Sequence, residues 1–349
     1  HTHRWPAARR SDMSQWLLWL LLSAVPGLLC GCRQKELVYP ASAMIGIEVV
    51  FDWSYAPEAA PDGMSLVFFP EGDDGRVWRY ELAGHDGGEI EIPAGRYRMM
   101  AFNNDTKYIM YSGTSRMGSY KAYTEESAAV VWPEAVRDSF PDLLACKGYH
   151  SPDPLYCATA EDVTVELCSV TYSPGRPDCD SSEAETKKCG RHVLRCFPAP
   201  RTSKYTCILR NVTDIDGFRR GYYVLSGLSP SELIAYDILS PSEGEYMFIA
   251  SRGGTEITGS TYAFGSSADL SAHQYLYFIA VMADGSVAAY CRDVSAQIEN
   301  SPDKRNVIII IDGIDLPDVA PGDDDNPDTS FDVAVQDWET VIINHVVTL

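Results

Sequence analysis

The chain has 349 residues, of which 45% are hydrophobic and 11% aromatic, and it carries a formal net charge of −21 at pH 7. An acidic surface of this strength repels phosphate backbones, so nucleic acid is excluded as a partner, and the apolar content excludes a disordered chain. The length exceeds the usual size of one hydrophobic core and predicts about two domains.

A hydrophobic run near the start, Trp16 to Leu29, predicts a secretory signal peptide. Its fourteen residues are fewer than the ~20 that a membrane-spanning helix needs, but they fit the apolar region of a signal. The run ends in Leu29-Cys30-Gly31-Cys32, which resembles a bacterial lipobox, with a leucine three positions before Cys32 and a small residue directly before it. Met13 is the natural candidate for the translation start. The alternative is a buried apolar helix that ends at a cysteine by chance.

We therefore expect residues 1–31 to be removed and Cys32 to receive acyl chains, palmitate among them. Several acyl chains anchor a protein stably in a bilayer, whereas one binds only marginally. Residues 32–40 would then form a tether, and the predicted partner of Cys32 is the lipid of the outer membrane.

Residues 41–125 predict a first β unit, because apolar residues alternate with polar ones at a period of two. The alternating runs are Ile45 to Trp53, Met64 to Phe68, Trp78 to Leu82, Glu89 to Ile92 and Tyr97 to Ala101. The turn Gly72-Asp73-Asp74-Gly75 separates the second and third runs and predicts a hairpin between them.

A second β unit is predicted for residues 161–320, after a connecting segment at residues 126–160. Its alternating runs are Val163 to Leu167, Tyr205 to Leu209, Tyr275 to Val281 and Val287 to Cys291. Asp284-Gly285 predicts a hairpin between the last two runs, and the continuous run Val307 to Ile311 predicts a strand covered on both faces. Two tandem β-sandwiches explain these strands better than one long sheet, so the predicted fold class is all-β.

Two polar segments belong to this second half. Residues 174–204 are rich in Pro, Ser and charges and carry three cysteines, which predicts a long surface insertion held by disulfides. Residues 321–349 begin with an acidic linker and end in a strand-like tail from Phe331, which pairs either within its own domain or with a partner. The linker aspartates lack the spacing of a calcium loop, so a solvated linker is favoured over a calcium site.

Eight cysteines remain beyond the lipid site, and their even number in an exported chain predicts disulfides. The candidates are Cys146, Cys157, Cys168, Cys179, Cys189, Cys196, Cys207 and Cys291. The sequence does not fix their pairing, and Cys168, Cys207 and Cys291 fall in strand-like runs where they could be small buried hydrophobes. Zinc binding is disfavoured, because the chain has no Cys-x-x-Cys and neither His150 nor His192 has paired spacing.

The chain contains no sequence motif of catalysis. Gly-x-Ser-x-Gly, His-Glu-x-x-His, a Walker loop and a dinucleotide fingerprint are all absent from it. Glu89 and Glu91 could be drawn as a glycosidase pair, but neighbours two apart on a strand are more simply a solvated face. The sequence predicts no catalytic residue, no cofactor and no metal site.

Several short motifs suggest a family. They are Lys35-Glu36-Leu37, Phe51-Asp52-Trp53, Asp62-Gly63-Met64, Pro93 to Tyr97, Phe102 to Asp105, Ala263-Phe264-Gly265, Asp293-Val294-Ser295, Ile314 to Pro317 and Phe331 to Trp338. Across nearly the whole mature chain they resemble a family of Bacteroidota lipoproteins, domain-of-unknown-function family 5119, which is similar to fimbrillin-like and fimbrial-anchor lipoproteins. The cysteine-rich insertion departs from that pattern. The resemblance implies two transthyretin-like (Ig-like) sandwiches at the cell surface, with fimbrial subunits as partners.

Aromatic rings on the surface would indicate a different function, the binding of glycans. Trp53, Trp78 and Trp338 lie on alternating strands and are expected in cores, whereas Trp132 is the best candidate for an exposed ring. We predict a non-catalytic outer-membrane lipoprotein that anchors or assists a fimbrium through strand pairing, with glycan binding as the alternative. An unpaired sheet edge would favour the first function, and a row of exposed rings would favour the second.

Overall fold

The computed structural model describes residues 44–72, 75–127, 147–167, 169–175, 185–188, 192–269, 271–321 and 343–348. Most of these residues lie in β-strands or in the turns between them, which confirms the all-β prediction. No helix in these ranges is long and apolar enough to cross a membrane.

The strands are numbered in chain order. The first twelve are β1 (Met44–Phe51), β2 (Gly63–Pro70), β3 (Trp78–Ala83), β4 (Gly87–Pro93), β5 (Gly95–Asn103), β6 (Met110–Ser112), β7 (Lys121–Tyr123), β8 (Lys147–Gly148), β9 (Tyr156–Glu166), β10 (Ser169–Gly175), β11 (Glu185–Lys188) and β12 (Val193–Cys196). The others are β13 (Ala199–Pro200), β14 (Ser203–Arg210), β15 (Phe218–Ser229), β16 (Ser231–Leu233), β17 (Ile238–Leu239), β18 (Gly244–Gly253), β19 (Glu256–Ala263), β20 (Gly265–Ser266), β21 (Tyr275–Met282), β22 (Val287–Asp293), β23 (Asn306–Asp312) and β24 (Ile343–Thr348). One short α-helix, α1 (Ser295–Glu299), and the 3₁₀ turns Met117–Ser119 and Ile215–Gly217 accompany them.

A first sandwich forms between two sheets. The three-stranded sheet has the order β12-β1-β4, and the seven-stranded sheet has the order β11-β10-β9-β5-β2-β3 with β13 beside β9. Alternate residues of the strands, such as Ile47, Leu66, Ile92, Met99 and Val163, point into one core and are buried. The period-two pattern of the sequence therefore gives one apolar face to each sheet, and the two faces pack together.

Two segments expected elsewhere contribute to this sandwich. The strand β9, predicted to open the second unit, pairs with β5 along most of its length, and Leu167 lies just beyond it with 72% of its surface exposed. The strand β12 falls within the predicted surface insertion, residues 174–204, yet it pairs in parallel with β1 and buries Leu194 and Cys196 in the core. The division of the chain into two domains at residues 126–160 stays a prediction.

The second large sheet has ten strands. Its order is β23-β14-β19-β18-β15-β21-β22-β24, with β20 beside β15 and β8 beside β18. Tyr205 of β14, Tyr223 of β15, Phe278 of β21 and Ile309 of β23 belong to one core, so strands from distant positions in the sheet meet across it. The sheet therefore folds over its own core as two layers. The turn at Asp284-Gly285 joins β21 to β22, as the sequence predicts.

A four-stranded sheet, with the order β17-β16-β7-β6, covers the outer face of the seven-stranded sheet. The shared core contains Phe102 of β5 and Tyr120, which precedes β7, with ring centroids 5.5 Å apart. Ile234 and Phe264 from the second half of the chain are buried in the same core. Side chains from both halves are therefore packed together at this point.

Candidate strand-pairing site

The strand β23 is the end strand of the ten-stranded sheet within the described residues. Val307, Ile309 and Ile311 are buried, but Ile310 is only half-buried and Ile308 is 51% exposed. The prediction that this run is covered on both faces is therefore wrong. An end strand over a core presents one face to the core and the other to solvent. Five consecutive apolar residues do not show whether a strand is covered on one face or on both.

The backbone of β23 points its hydrogen-bonding groups in two directions. Toward β14 the pairing is parallel and begins where the Lys204 N–H donates to the Arg305 carbonyl oxygen at 2.9 Å. Because the N–H and C=O of one residue point to the same side and alternate along a strand, the groups of Ile308 and Ile310 point away from β14. An end strand with outward groups of this kind is a template for another chain.

One outward position is occupied by a side chain. Gln297 of α1 donates its Nε2 to the Ile310 carbonyl oxygen at 3.0 Å, and the Ile310 N–H donates to Gln297 Oε1 at 2.9 Å. A primary amide offers the same donor and acceptor as a peptide group. The Gln297 side chain, itself exposed, therefore satisfies both backbone groups that a neighbouring strand would pair with at this position.

The helix α1 is fixed beside β23 by the core and by its first turn. Val294 and Ile298 are buried in the core of the ten-stranded sheet. The Asp293 carboxylate accepts from the Ser295 N–H at 2.9 Å, and the hydrogen bonds from Ser295 hold the pKa of Asp293 below its ordinary value. This bond forms an Asx turn just before the helix, and the N-cap residue Val294 has no side-chain cap, so the sequence does not indicate α1 or what Gln297 contacts.

A shallow cleft of about 440 Å³ lies beside the exposed start of β23. Ala296, Pro302 and Ile308 supply apolar surface to it, and the remaining described residues around it are polar. Just before the strand, Asp303 Oδ1 accepts from the Arg305 N–H at 2.8 Å and from the Asn306 N–H at 3.2 Å. The outward N–H of Asn306 is thus satisfied, and Ile308 lies between two occupied positions.

An ionic cluster at the start of β23 joins the exposed Asp237 carboxylate to the partly buried Arg305 and the mostly buried Arg201. Arg305 Nη2 contacts both carboxylate oxygens of Asp237, at 2.6 and 2.8 Å, and Arg201 Nη1 lies 3.3 Å from the same carboxylate. The Glu232 carboxyl on β16 is fully buried, 3.8 Å from Arg201 Nε. Burial raises the pKa of Glu232 to about 8, and the Asp237 carboxylate adds to the rise. The raised pKa favours the protonated form of Glu232 near neutral pH, and both guanidinium groups contact the Asp237 carboxylate.

The other end strand of the ten-stranded sheet is β24, from the tail of the chain. The strand β24 pairs in parallel with β22, with Ile343 opposite Val287 and Thr348 opposite Cys291. The tail therefore completes its own sheet at these residues, which was one of the two alternatives for it. The residues from Phe331 to Val335, expected to form the tail strand, lie outside the described part of the chain.

The structure differs from the disulfide prediction at three cysteines. Cys157, Cys196 and Cys207 are free and buried, and burial raises the pKa of each thiol, to about 11 for Cys157. Each points into an apolar core from a strand, as was the alternative for Cys207. Cys291 is half-buried on β22. The candidates Cys146, Cys168, Cys179 and Cys189, like the lipid site Cys32, lie outside the described residues.

The described aromatic residues do not form a row of exposed rings. Trp53 and Trp78 pack against the core of the first sandwich, and Trp53 Nε1 donates to the His85 carbonyl oxygen at 2.7 Å. Trp132 and Trp338 lie outside the described ranges. Glu89 and Glu91 alternate with buried residues and face solvent, as expected. Within the described ranges no cluster of three or more His, Cys, Asp or Glu side chains is arranged to hold a metal ion.

Comparisons with known proteins agree with this architecture. The family model described as "Domain of unknown function (DUF5119)" matches residues 31–248. Fim4B of Bacteroides ovatus, a proposed fimbrium anchoring subunit, is 27% identical over 149 residues, which are 40% of this chain and 38% of that protein. The match thus spans well under half the length of that relative.

One solved structure shares this fold. A proposed adhesin from Bacteroides ovatus superposes with a TM-score of 0.55 at 19% identity, over 80% of this chain and 94% of the other. The fimbrial anchor protein Mfa2 from Porphyromonas gingivalis gives a TM-score of 0.44 at 10% identity, over 77% of this chain and 91% of the other.

Proposed function

The chain belongs to the DUF5119 family, and from this membership we propose that it is a non-catalytic surface lipoprotein that anchors or assists a fimbrium. The relative Fim4B, named for fimbrium anchoring, supports the proposal over the matched part of the chain. The fold shared with a proposed adhesin agrees with this role by analogy, and the site has to carry the argument because a fold alone does not fix a function.

The observation that carries the proposal is the open side of β23. Its outward backbone groups at Ile308, the exposed side chain of that residue and the cleft beside it form a place where an extended segment can add to the sheet. Within the described residues the ten-stranded sheet ends in β23 and in β24, and we propose β23 as the edge for a partner because an exposed apolar residue and a cleft lie beside it. We propose that a fimbrial subunit pairs there.

Attachment to the cell is proposed through Cys32. Removal of residues 1–31 and acylation at Cys32 would place the protein in the outer membrane with its β-sheets outside the bilayer. We expect Cys32→Ser protein from which the signal has been removed to leave the membrane fraction in detergent partitioning. A cleaved Cys32→Ser protein that stays in the membrane would refute the lipid site.

A proline at position 308 tests the pairing itself. Because the Ile308 N–H points away from β14, Ile308→Pro should leave the fold intact and remove the outward donor that a partner needs. The expected result is an unchanged melting temperature and loss of fimbriae from the cells that carry the variant. Ile308→Ala keeps the donor and should retain most fimbriae.

A second proline serves as the contrast. The Val307 N–H faces β14, so Val307→Pro should lower the melting temperature by breaking the sheet. If Ile308→Pro cells keep their fimbriae at wild-type length and number, β23 is not the site and the proposal in this form is wrong.

A further inference from the structure

The Gln297 side chain occupies the place of a neighbouring peptide group on β23. It makes two hydrogen bonds to one residue, Ile310, through one donor and one acceptor. Its own helix is short and needs neither bond, because Ile298 holds α1 in the core. Holding an exposed glutamine in one orientation costs side-chain entropy. The two hydrogen bonds offset this cost by satisfying the outward backbone groups of Ile310.

We infer that Gln297 is a displaceable place-holder, which protects the edge in the free protein and is replaced at Ile310 by the backbone of a partner segment. The inference rests on the proposed function, because it assumes that β23 is the edge used. Natural edge strands are commonly blocked against unwanted pairing. The Gln297 amide blocks the edge reversibly, since a partner strand that displaces it supplies the same two hydrogen bonds to Ile310.

The residues around the edge of β23 indicate which kind of segment can bind there. Ile308, Ala296 and Pro302 line the cleft and favour an extended segment with an apolar side chain opposite Ile308. Asp312 ends the strand, and Asp303 precedes it next to Lys304 and Arg305, of which Arg305 is paired with Asp237. Together with the net charge of −21, these carboxylates favour basic flanks on the partner.

A second copy of this chain is the less suitable occupant. Two chains that each carry a net charge of −21 repel each other, and an edge-to-edge pair would bring both sets of acidic ends together. The inferred partner is therefore a different protein, which offers an extended, apolar segment with lysine or arginine at its ends.

The experiment compares peptide binding by the wild type and three variants. The probe is a fluorescent nine-residue peptide of alternating valine and threonine with lysine at each end. Gln297→Met keeps the length of the side chain but cannot bond the backbone, so it should bind the peptide about tenfold more tightly. Gln297→Glu keeps only the acceptor and should fall between the two. Asn104→Ala is the control, because it also removes an exposed side-chain amide, which donates to the Glu81 carboxylate at 2.6 Å in the first sandwich and does not line the cleft.

Hydrogen exchange of the segment Asn306–Asp312 provides an independent measurement. In the free protein, Gln297→Met should exchange faster than the wild type, because the Ile310 N–H loses its acceptor. With the peptide bound, the wild type and the variant should be protected equally. The two measurements together separate a change in affinity from a change in fold.

The possible outcomes separate the failure of the place-holder inference from the failure of the proposed strand-pairing function. A wild type that binds no peptide and gains no protection in β23 would refute the strand-pairing function. Binding that is equal or weaker in Gln297→Met, with β23 protected in the wild type, would refute the place-holder alone. Sedimentation of Gln297→Met as a dimer would identify a second copy as the occupant and overturn the inferred partner.

Discussion

The buried carboxyl of Glu232 should make the stability of this protein depend on pH. It titrates at about 8 in the folded protein and at 4.5 as an ordinary carboxyl. The folded state therefore holds a proton that the unfolded chain releases between these values, so raising the pH favours unfolding. Each pH unit in this window lowers the free energy of unfolding by about 1.4 kcal/mol, and the whole window by about 5 kcal/mol.

Glu232→Gln tests this directly. Glutamine resembles the protonated acid in shape and does not titrate, so the variant and the wild type should be similarly stable at pH 5. At pH 8 the variant should be the more stable of the two, because the wild type has lost unfolding free energy through the titration of Glu232 and the variant has not. The assay is urea unfolding at pH 5, 6, 7 and 8 with both proteins.

Glu245 supplies a matched comparison. It is also buried, on β18, and burial raises the pKa of its carboxyl to about 8. Glu245→Gln should remove a similar part of the pH dependence, and the double variant should remove both parts. If the unfolding free energies of Glu232→Gln and of the wild type change in parallel with pH, Glu232 is not protonated in the fold and the reasoning is refuted.

Three further predictions concern the packing, the first with a matched control. Gly87 has φ = +124°, and a Cβ there would collide with the Val49 carbonyl. Gly87→Ala should therefore lower the free energy of unfolding by at least about 2 kcal/mol. The control Gly46→Ala, with open space around it, should lower it by less than about 1 kcal/mol. Tyr223→Phe removes the buried hydrogen bond to the Ile257 carbonyl oxygen at 2.7 Å and should cost about 1–3 kcal/mol in denaturant unfolding. Truncation before β24 uncovers β22 and should produce aggregation in light scattering; a monomeric truncation of unchanged stability would show that β24 does not complete the sheet.

The local pattern of the sequence was enough for several strands. The alternation from Ile45 to Phe51 predicts β1, Tyr97 to Ala101 predicts β5, and Asp284-Gly285 predicts the β21–β22 hairpin. These features depend on residues next to each other in the chain. Side chains two apart share a face, and a tight turn needs only a few residues of suitable conformation.

The candidate site could not be predicted in this way. Gln297 and Ile310 are separated by a loop, and nothing in either residue type indicates that they pair. The run from Val307 to Ile311 is apolar throughout, so the sequence does not show that Ile308 lies at an edge. Whether a strand is central or terminal depends on which other strands reach it, and that is a property of the whole sheet.

The sequence by itself determined the β-rich class, the acidic surface and the candidate lipid site Cys32, because composition, period and short motifs are local quantities. Only the tertiary structure decided that β12 pairs with β1, that Cys157 is a buried thiol and that the Glu232 carboxyl is buried away from solvent. Those outcomes depend on contacts between residues far apart in the chain. Burial, charge state and edge position follow from such contacts, and no local pattern encodes them.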